Sequence, residues 1–186
     1  KDVDFAVTTY VEEVRVATRA DANINSVKDL AGKTIATTTG TTSVQHLRKH
    51  ERAAGLQFKE VMGKDHAESF LLLETGKADA FVMDASILAA NSARSRNPQN
   101  FKIVGEVLSV EPIACMLPKG DVKFKEAVDN SIKRQVADGS LEQLYNKWFM
   151  QPIPPNNVTL NLPLSASTKE AWANPNNKPM EEYAQK

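Results

Sequence analysis

Thr38-Thr39-Gly40-Thr41-Thr42 sets one glycine among four hydroxyls, immediately before a segment of helical period. A helix start offers unpaired backbone N–H groups and the positive end of the helix dipole. A glycine there lets an anion approach the backbone, so a carboxylate or phosphate suits the loop. The same residues also read as a Thr-capped helix start after a strand. They are not a P-loop, because no lysine follows the glycine at the required spacing. Asp84 stands at the carboxyl end of Phe81-Val82-Met83, and the carboxyl-edge rule for open α/β sheets puts it on the same edge as the threonine loop. A carboxylate facing an anion-binding loop suits a zwitterion, with ammonium on Asp84 and carboxylate on the loop. Capping of the next helix is the competing role for Asp84. His66 follows Asp65 at another helix start. Its imidazole can hold a second carboxylate, act as an acid–base group, or serve only as a surface or capping residue.

Other reactive side chains point less clearly to chemistry. His46 and His50 are spaced i, i+4, as a shared metal would require, but no glutamate follows His46 and no third ligand is evident. Arg48, Lys49 and Arg52 around them read as a solvated basic face. Cys115, the single cysteine, lies between Ala114 and Met116 in an apolar extended stretch and is expected to be buried and inert. The sequence contains no G-x-S-x-G nucleophile elbow.

The elements that must position these residues alternate. Val11 to Arg19 reads as a strand, with Val14 and Val16 at period two, and Thr34 to Thr37 as another. Ser43 to Ala54 has a helical apolar pattern closed by Gly55. Phe58 to Val61 is a short strand, and Asp65 can cap a helix running to Glu74. Ala80 to Met83 is a buried strand, Ala85 to Ser95 a helix, and Phe101 to Val104 a strand. This order predicts an α/β fold with a mostly parallel sheet. Leu108 to Leu117 is extended and flanked or interrupted by Pro112 and Pro118, which argue against a central strand. Helices follow at Asp121 to Ala137 and at Ser140 to Phe149, the second with Ser140 as cap and Gln143 at capping-box spacing. A short helix is expected at Ser165 to Ala173. Phe124, Val128, Ile132, Leu144, Trp148 and Phe149 give the helices at 121–149 apolar faces that need a sheet the chain does not clearly supply.

Composition narrows the classes. The 186 residues carry 23 Lys+Arg against 23 Asp+Glu, with 41% hydrophobic and 25% charged residues, as in an ordinary globular chain of one or two domains. Balanced charge excludes a strongly basic nucleic-acid binder as the first reading. No apolar run reaches the roughly 18–20 residues that span a bilayer. The opening Lys1-Asp2-Val3-Asp4-Phe5 has no basic and apolar leader pattern.

Taken in order, Val3-Asp4-Phe5, Thr8-Thr9-Tyr10, Thr38 to Ser43, Lys64-Asp65-His66, Phe81-Val82-Met83-Asp84 and Leu144 to Pro155 resemble the periplasmic substrate-binding proteins of polar amino-acid ABC transporters, in particular the glutamate/aspartate-binding branch. The resemblance implies a type II periplasmic binding protein fold: one complete α/β lobe plus the C-terminal helical part of the other. Its boundaries would be 1–9 for an interlobe crossover, 10–107 for the second lobe, 108–118 for the return crossover, and 119–186 for the C-terminal part of the first lobe and the tail. It implies capture of an acidic L-amino acid by hinge closure, delivery to an ABC transporter membrane permease, a periplasmic location, and no cofactor, metal or catalysis.

The family's site residues carry over as ligand contacts at Thr38 and Thr41, loop backbone at Gly40 and Thr42, a histidine near the ligand's side-chain carboxylate at His66, and the ammonium-binding aspartate at Asp84. In the family, further residues precede the position of Lys1. They supply most first-lobe strands and an arginine that clamps the α-carboxylate, and in some relatives a cysteine able to pair at the Cys115 position. A chain beginning at Lys1 is therefore expected to bind weakly, since a charge-assisted hydrogen bond is worth about 1.5–3 kcal/mol, or roughly tenfold to over a hundredfold in affinity. It is also expected to form homo-oligomers through its uncovered helical face. Two other classes share the fold: a dehydratase-like periplasmic enzyme using His66 or Asp84, and the ligand-sensing domain of a regulator.

Overall fold

The computed structural model describes residues 2–183. The strands are β1 (Val3–Phe5), β2 (Tyr10–Arg19), β3 (Thr34–Thr38), β4 (Lys59–Gly63), β5 (Ala80–Asp84), β6 (Phe101–Ile113) and β7 (Met116–Pro118). The helices are α1 (Thr42–Ala54), α2 (His66–Glu74), α3 (Ala85–Arg94), α4 (Val122–Ala137), α5 (Ser140–Phe149) and α6 (Ala166–Ala173). Two compact units result: Glu13–Ser109, and the chain on either side of it. No helix among the described residues is long and apolar enough to cross a membrane.

Glu13–Ser109 is built on a sheet of order β4-β3-β5-β2-β6. β3 pairs in parallel with both β4 and β5, as β-α-β crossovers through α1 and α2 demand. β2 runs antiparallel to β5, so the sheet is mixed rather than mostly parallel. Side chains alternate between its two faces. Val14, Val16, Ile35, Ala80 and Val82 join Leu47 of α1 in one core. Ala17, Ala36, Phe81 and Met83 join Phe70 and Leu73 of α2 and Leu88 of α3 in the other. Both faces are covered, which is why Ala80 to Met83 reads as a continuous apolar run. Gly55 ends α1 at φ 63, where a left-handed residue lets its N–H reach the last carbonyls.

β6 corrects the expectation of a strand at 101–104 followed by a separate extended stretch. One strand runs from Phe101 to Ile113 through Gly105, at φ +73. Its place at the sheet edge accommodates Pro112.

The flanking unit pairs β1 with β7 antiparallel. Ala6, Val7, Leu117 and Ile132 form a small core. The carboxylate of Asp129 accepts the Val7 N–H at 2.8 Å and takes Lys125 Nζ at 2.8 Å. Tyr145 stacks on Phe149 at 4.3 Å and on Tyr10 at 6.0 Å. Asp121 caps α4 by accepting the Phe124 N–H. The expected Ser140 cap is displaced: Gly139 at φ 77 is the N-cap of α5, and Asp138 accepts the Ser140 N–H at 2.9 Å. The Ser140 hydroxyl and N–H hold the Asp138 carboxyl below its ordinary range. Cys115 is exposed, contrary to expectation, because in this stretch the chain turns Leu117 inward and leaves Cys115 and Met116 outside.

Candidate functional site

The three strands β4, β3 and β5 are neighbours and parallel, so their carboxyl ends share one edge of the sheet. Adjacent strands lie about 4.8 Å apart, so the segments leaving those ends begin close together. From β3 comes Thr39 to Thr41, from β4 Lys64 and Asp65, and from β5 Asp84. This edge gathers the threonine loop, His66 and Asp84.

Thr38, the last residue of β3, is buried, and its register partner on β4 is Gly63. Thr39 and Gly40 are exposed, with Gly40 at φ +78, a conformation that favours glycine. The loop's hydroxyls are less available as donors than their number suggests. Thr39 Oγ1 donates to the Gly63 carbonyl at 3.2 Å, and Thr41 Oγ1 donates to the Thr38 carbonyl at 2.8 Å. Both still offer lone pairs. Thr41 occupies the N-cap of α1 without a side-chain cap bond, and Thr42 is exposed in the first turn. Donors for an anion therefore come mainly from the first-turn N–H groups of α1. Ser43, also in that turn, is buried with Oγ 3.7 Å from the sulfur of Met83, which ties the start of α1 to the end of β5.

Asp84 ends β5, half-buried, and sits at the N-cap position of α3. Its carboxylate makes no cap hydrogen bond there. His66 opens α2 behind Asp65, whose carboxylate caps the helix by accepting the Glu68 N–H at 2.8 Å. His66 Nδ1 lies 3.1 Å from Thr38 Oγ1, so the structure joins two of the candidate residues directly. His50 lies elsewhere: its Nε2 is 2.9 Å from the Leu108 carbonyl on β6, and it is partly buried rather than part of a solvated basic face.

Two residues that matter here were not singled out from the sequence. Ser69 is fully buried, with Oγ 2.9 Å from Thr38 Oγ1. Gly63 faces it, and a Cβ at Gly63 would collide with Ser69 Oγ and lie 2.6 Å from the Ser69 nitrogen. The available signal was a serine three residues beyond His66, on the apolar face shared with Phe70 and Leu73.

A two-faced α/β unit that collects helix N-termini, hydroxyls, a histidine and a carboxylate along one strand edge has the architecture of a small-molecule-binding lobe. Residues 1–151 match the model of the bacterial extracellular solute-binding proteins, family 3, and the chain belongs to that family. It is 38% identical over 182 residues to an L-glutamate/L-aspartate-binding protein of Pseudomonas aeruginosa, covering 98% of this chain and 60% of that one. The ligand-binding core of GluR0 from Nostoc punctiforme, solved with L-glutamate, is 29% identical at a TM-score of 0.62, covering 80% of this chain and 66% of that one. An ancestral arginine-binding protein bound to arginine is 30% identical at a TM-score of 0.64, covering 79% and 64%. The chain thus spans about three fifths of the length of the Pseudomonas relative.

Proposed function

We propose that the protein carrying this chain is the periplasmic receptor of an ABC transporter, capturing L-glutamate or L-aspartate and delivering it to the membrane permease. The observation that carries the reading is the 38% identity to a glutamate/aspartate-binding protein across almost the whole chain. The gathered edge supports it chemically. Asp84 takes the ammonium group, the first-turn N–H groups of α1, approached past Gly40 and flanked by Thr38, Thr41 and Thr42, take carboxylate oxygens, and His66 reads the side chain. The ammonium group of glutamate is complementary in charge to Asp84, and its α-carboxylate to the positive end of the α1 dipole. The residues at this edge suit reversible binding, with Thr38 and Thr41 committed to holding the loop rather than to attacking a substrate.

Calorimetric titration with L-glutamate, L-aspartate and L-glutamine tests this, on the chain alone and on a version extended to the length of its relatives. The extended protein is expected to prefer the acidic ligands, and the chain alone to bind at least tenfold more weakly. Preference for glutamine, or turnover of the ligand, would overturn the reading.

A further inference from the structure

We infer that Ser69 is a positioning residue which, through Thr38, fixes the proton of neutral His66 on Nδ1 and leaves Nε2 as the atom that reads a ligand. The polarity follows from which atoms can donate. Ser69 Oγ lies 2.9 Å from the Thr37 carbonyl, 3.0 Å from the Asp65 carbonyl and 2.9 Å from Thr38 Oγ1. Carbonyls only accept, and the serine has one proton. Pointed at Thr38, that proton would leave serine lone pairs facing two carbonyl oxygens at contact distance. It therefore goes to the carbonyls, and Thr38 donates to Ser69. Thr38 then has no proton for His66, whose Nδ1 at 3.1 Å must be the donor. Ser69 and Thr38 are 0% and 3% exposed, so solvent does not reset the chain. Gly63 keeps the space in which Ser69 sits.

The consequence for specificity rests on the binding reading above. Neutral His66 presents a lone pair at Nε2, which accepts from an amide or a protonated carboxyl group. Only the imidazolium donates from Nε2 to a carboxylate. An acidic side chain is then bound with uptake of up to one proton, and an amide side chain with none. The charged groups near His66 in its own segment are Lys64, Asp65 and Glu68. Asp65 is engaged by the Glu68 N–H, and Glu68 by the Lys64 N–H. Among the elements packed on α2, β3 carries no titratable residue, β4 carries Lys59 and Glu60, β5 carries Asp84 and α3 carries Arg94. Glu60 is paired with Arg48.

The test is nitrogen-15 NMR of the imidazole rings in this chain, at a pH where His66 is neutral. The wild type is expected to show His66 as Nδ1–H. Ser69→Ala frees the Thr38 proton to point at Nδ1 and should move the ring to Nε2–H. Thr38→Ser should keep Nδ1–H and Thr38→Val should lose it, a pair that decides the matter if Ser69→Ala does not fold. A wild-type Nε2–H ring, or a tautomer indifferent to Thr38→Val, overturns the inference. Because this readout needs no ligand, it stands or falls apart from the binding reading. Calorimetry of the extended protein in two buffers of different ionisation enthalpy should then show proton uptake with L-glutamate and none with L-glutamine. Equal uptake with both would overturn the specificity role.

Discussion

Glu13–Ser109 and the unit that flanks it solve the same packing problem to different extents. The first covers both faces of a five-stranded sheet, and its large apolar side chains are buried or partly buried except for Met62 and Leu71. The second leaves Phe5, Met116, Val122, Phe124, Leu144 and Trp148 exposed, the last three at 48%, 48% and 46%. The helices are not at fault, since α4 presents Phe124, Val128 and Ile132 at the i, i+4, i+8 spacing of a core-facing stripe. The difference lies in what they pack against. A 16-residue helix is about 24 Å long, while a three-residue strand spans about 10 Å. Ala6 and Val7, just after β1, and Leu117 of β7 bury Ile132 and reach Val128, and the stripe runs out beyond them. A helix face is thus only as buried as the sheet beneath it is wide.

Truncating the two kinds of site should separate them most sharply. Phe81 is fully buried in the β5 core, so Phe81→Ala is expected to cost about 3–5 kcal/mol and to unfold Glu13–Ser109 at far lower denaturant. Phe124→Ala, at a half-exposed position, should stay within about 0.5 kcal/mol in dilute solution, below the concentration at which the chain associates. Urea titrations followed by circular dichroism decide it, and equal costs would mean that Phe124 is covered in solution.

The open stripe leads to the next effect. The isolated chain is expected to self-associate through it, because re-burying a large apolar side chain gains about 1.5–3 kcal/mol. Leu144→Lys with Trp148→Glu should weaken that association at least tenfold in sedimentation equilibrium while leaving helicity unchanged. A wild-type chain that stays monomeric at high concentration would break this half of the comparison.

The same contrast explains what could be read from the sequence. The edge that carries the candidate site was legible because β-α-β order forces β3, β4 and β5 to be parallel, and that alone brings Thr38, His66 and Asp84 to one side. The uncovered faces of α4 and α5 were legible because an amphipathic stripe shows its need for a partner locally. Contacts between distant segments were not. The Asn- and Pro-rich tail gave no sign that Thr168 would both accept the Val11 N–H at 3.1 Å and donate to the Val11 carbonyl at 3.2 Å. Ser69 was hidden for the same reason: its partners Thr37 and Thr38 lie about thirty residues away, across a strand pairing whose register no local pattern sets. Cys115 is exposed although its sequence neighbours are apolar, because the two-stranded sheet there is too narrow to bury them.

The smallest expected effect tests whether Glu13–Ser109 is pinned by polar contacts as well as by its cores. The carboxylate of Glu106 on β6 accepts the Val27 N–H at 3.0 Å, closing the segment between β2 and β3 onto the edge strand. That hydrogen bond, then the N–H of Glu106 itself, with smaller help from the charges of His50 and Lys28, holds its carboxyl below the ordinary glutamate value of 4.5. A lowered folded-state value means that the contribution to stability is fully present above the unfolded value. It is lost as pH falls through the folded one. Glu106→Gln should therefore be slightly less stable than wild type at neutral pH, by an amount kept small by solvent screening, and should converge with it in acid below pH 4.5. Paired urea titrations at neutral and acid pH measure the convergence. A constant offset across that range would mean that Glu106 acts by packing rather than by charge, and that the Val27 tie adds nothing to the closed unit that the flanking unit lacks.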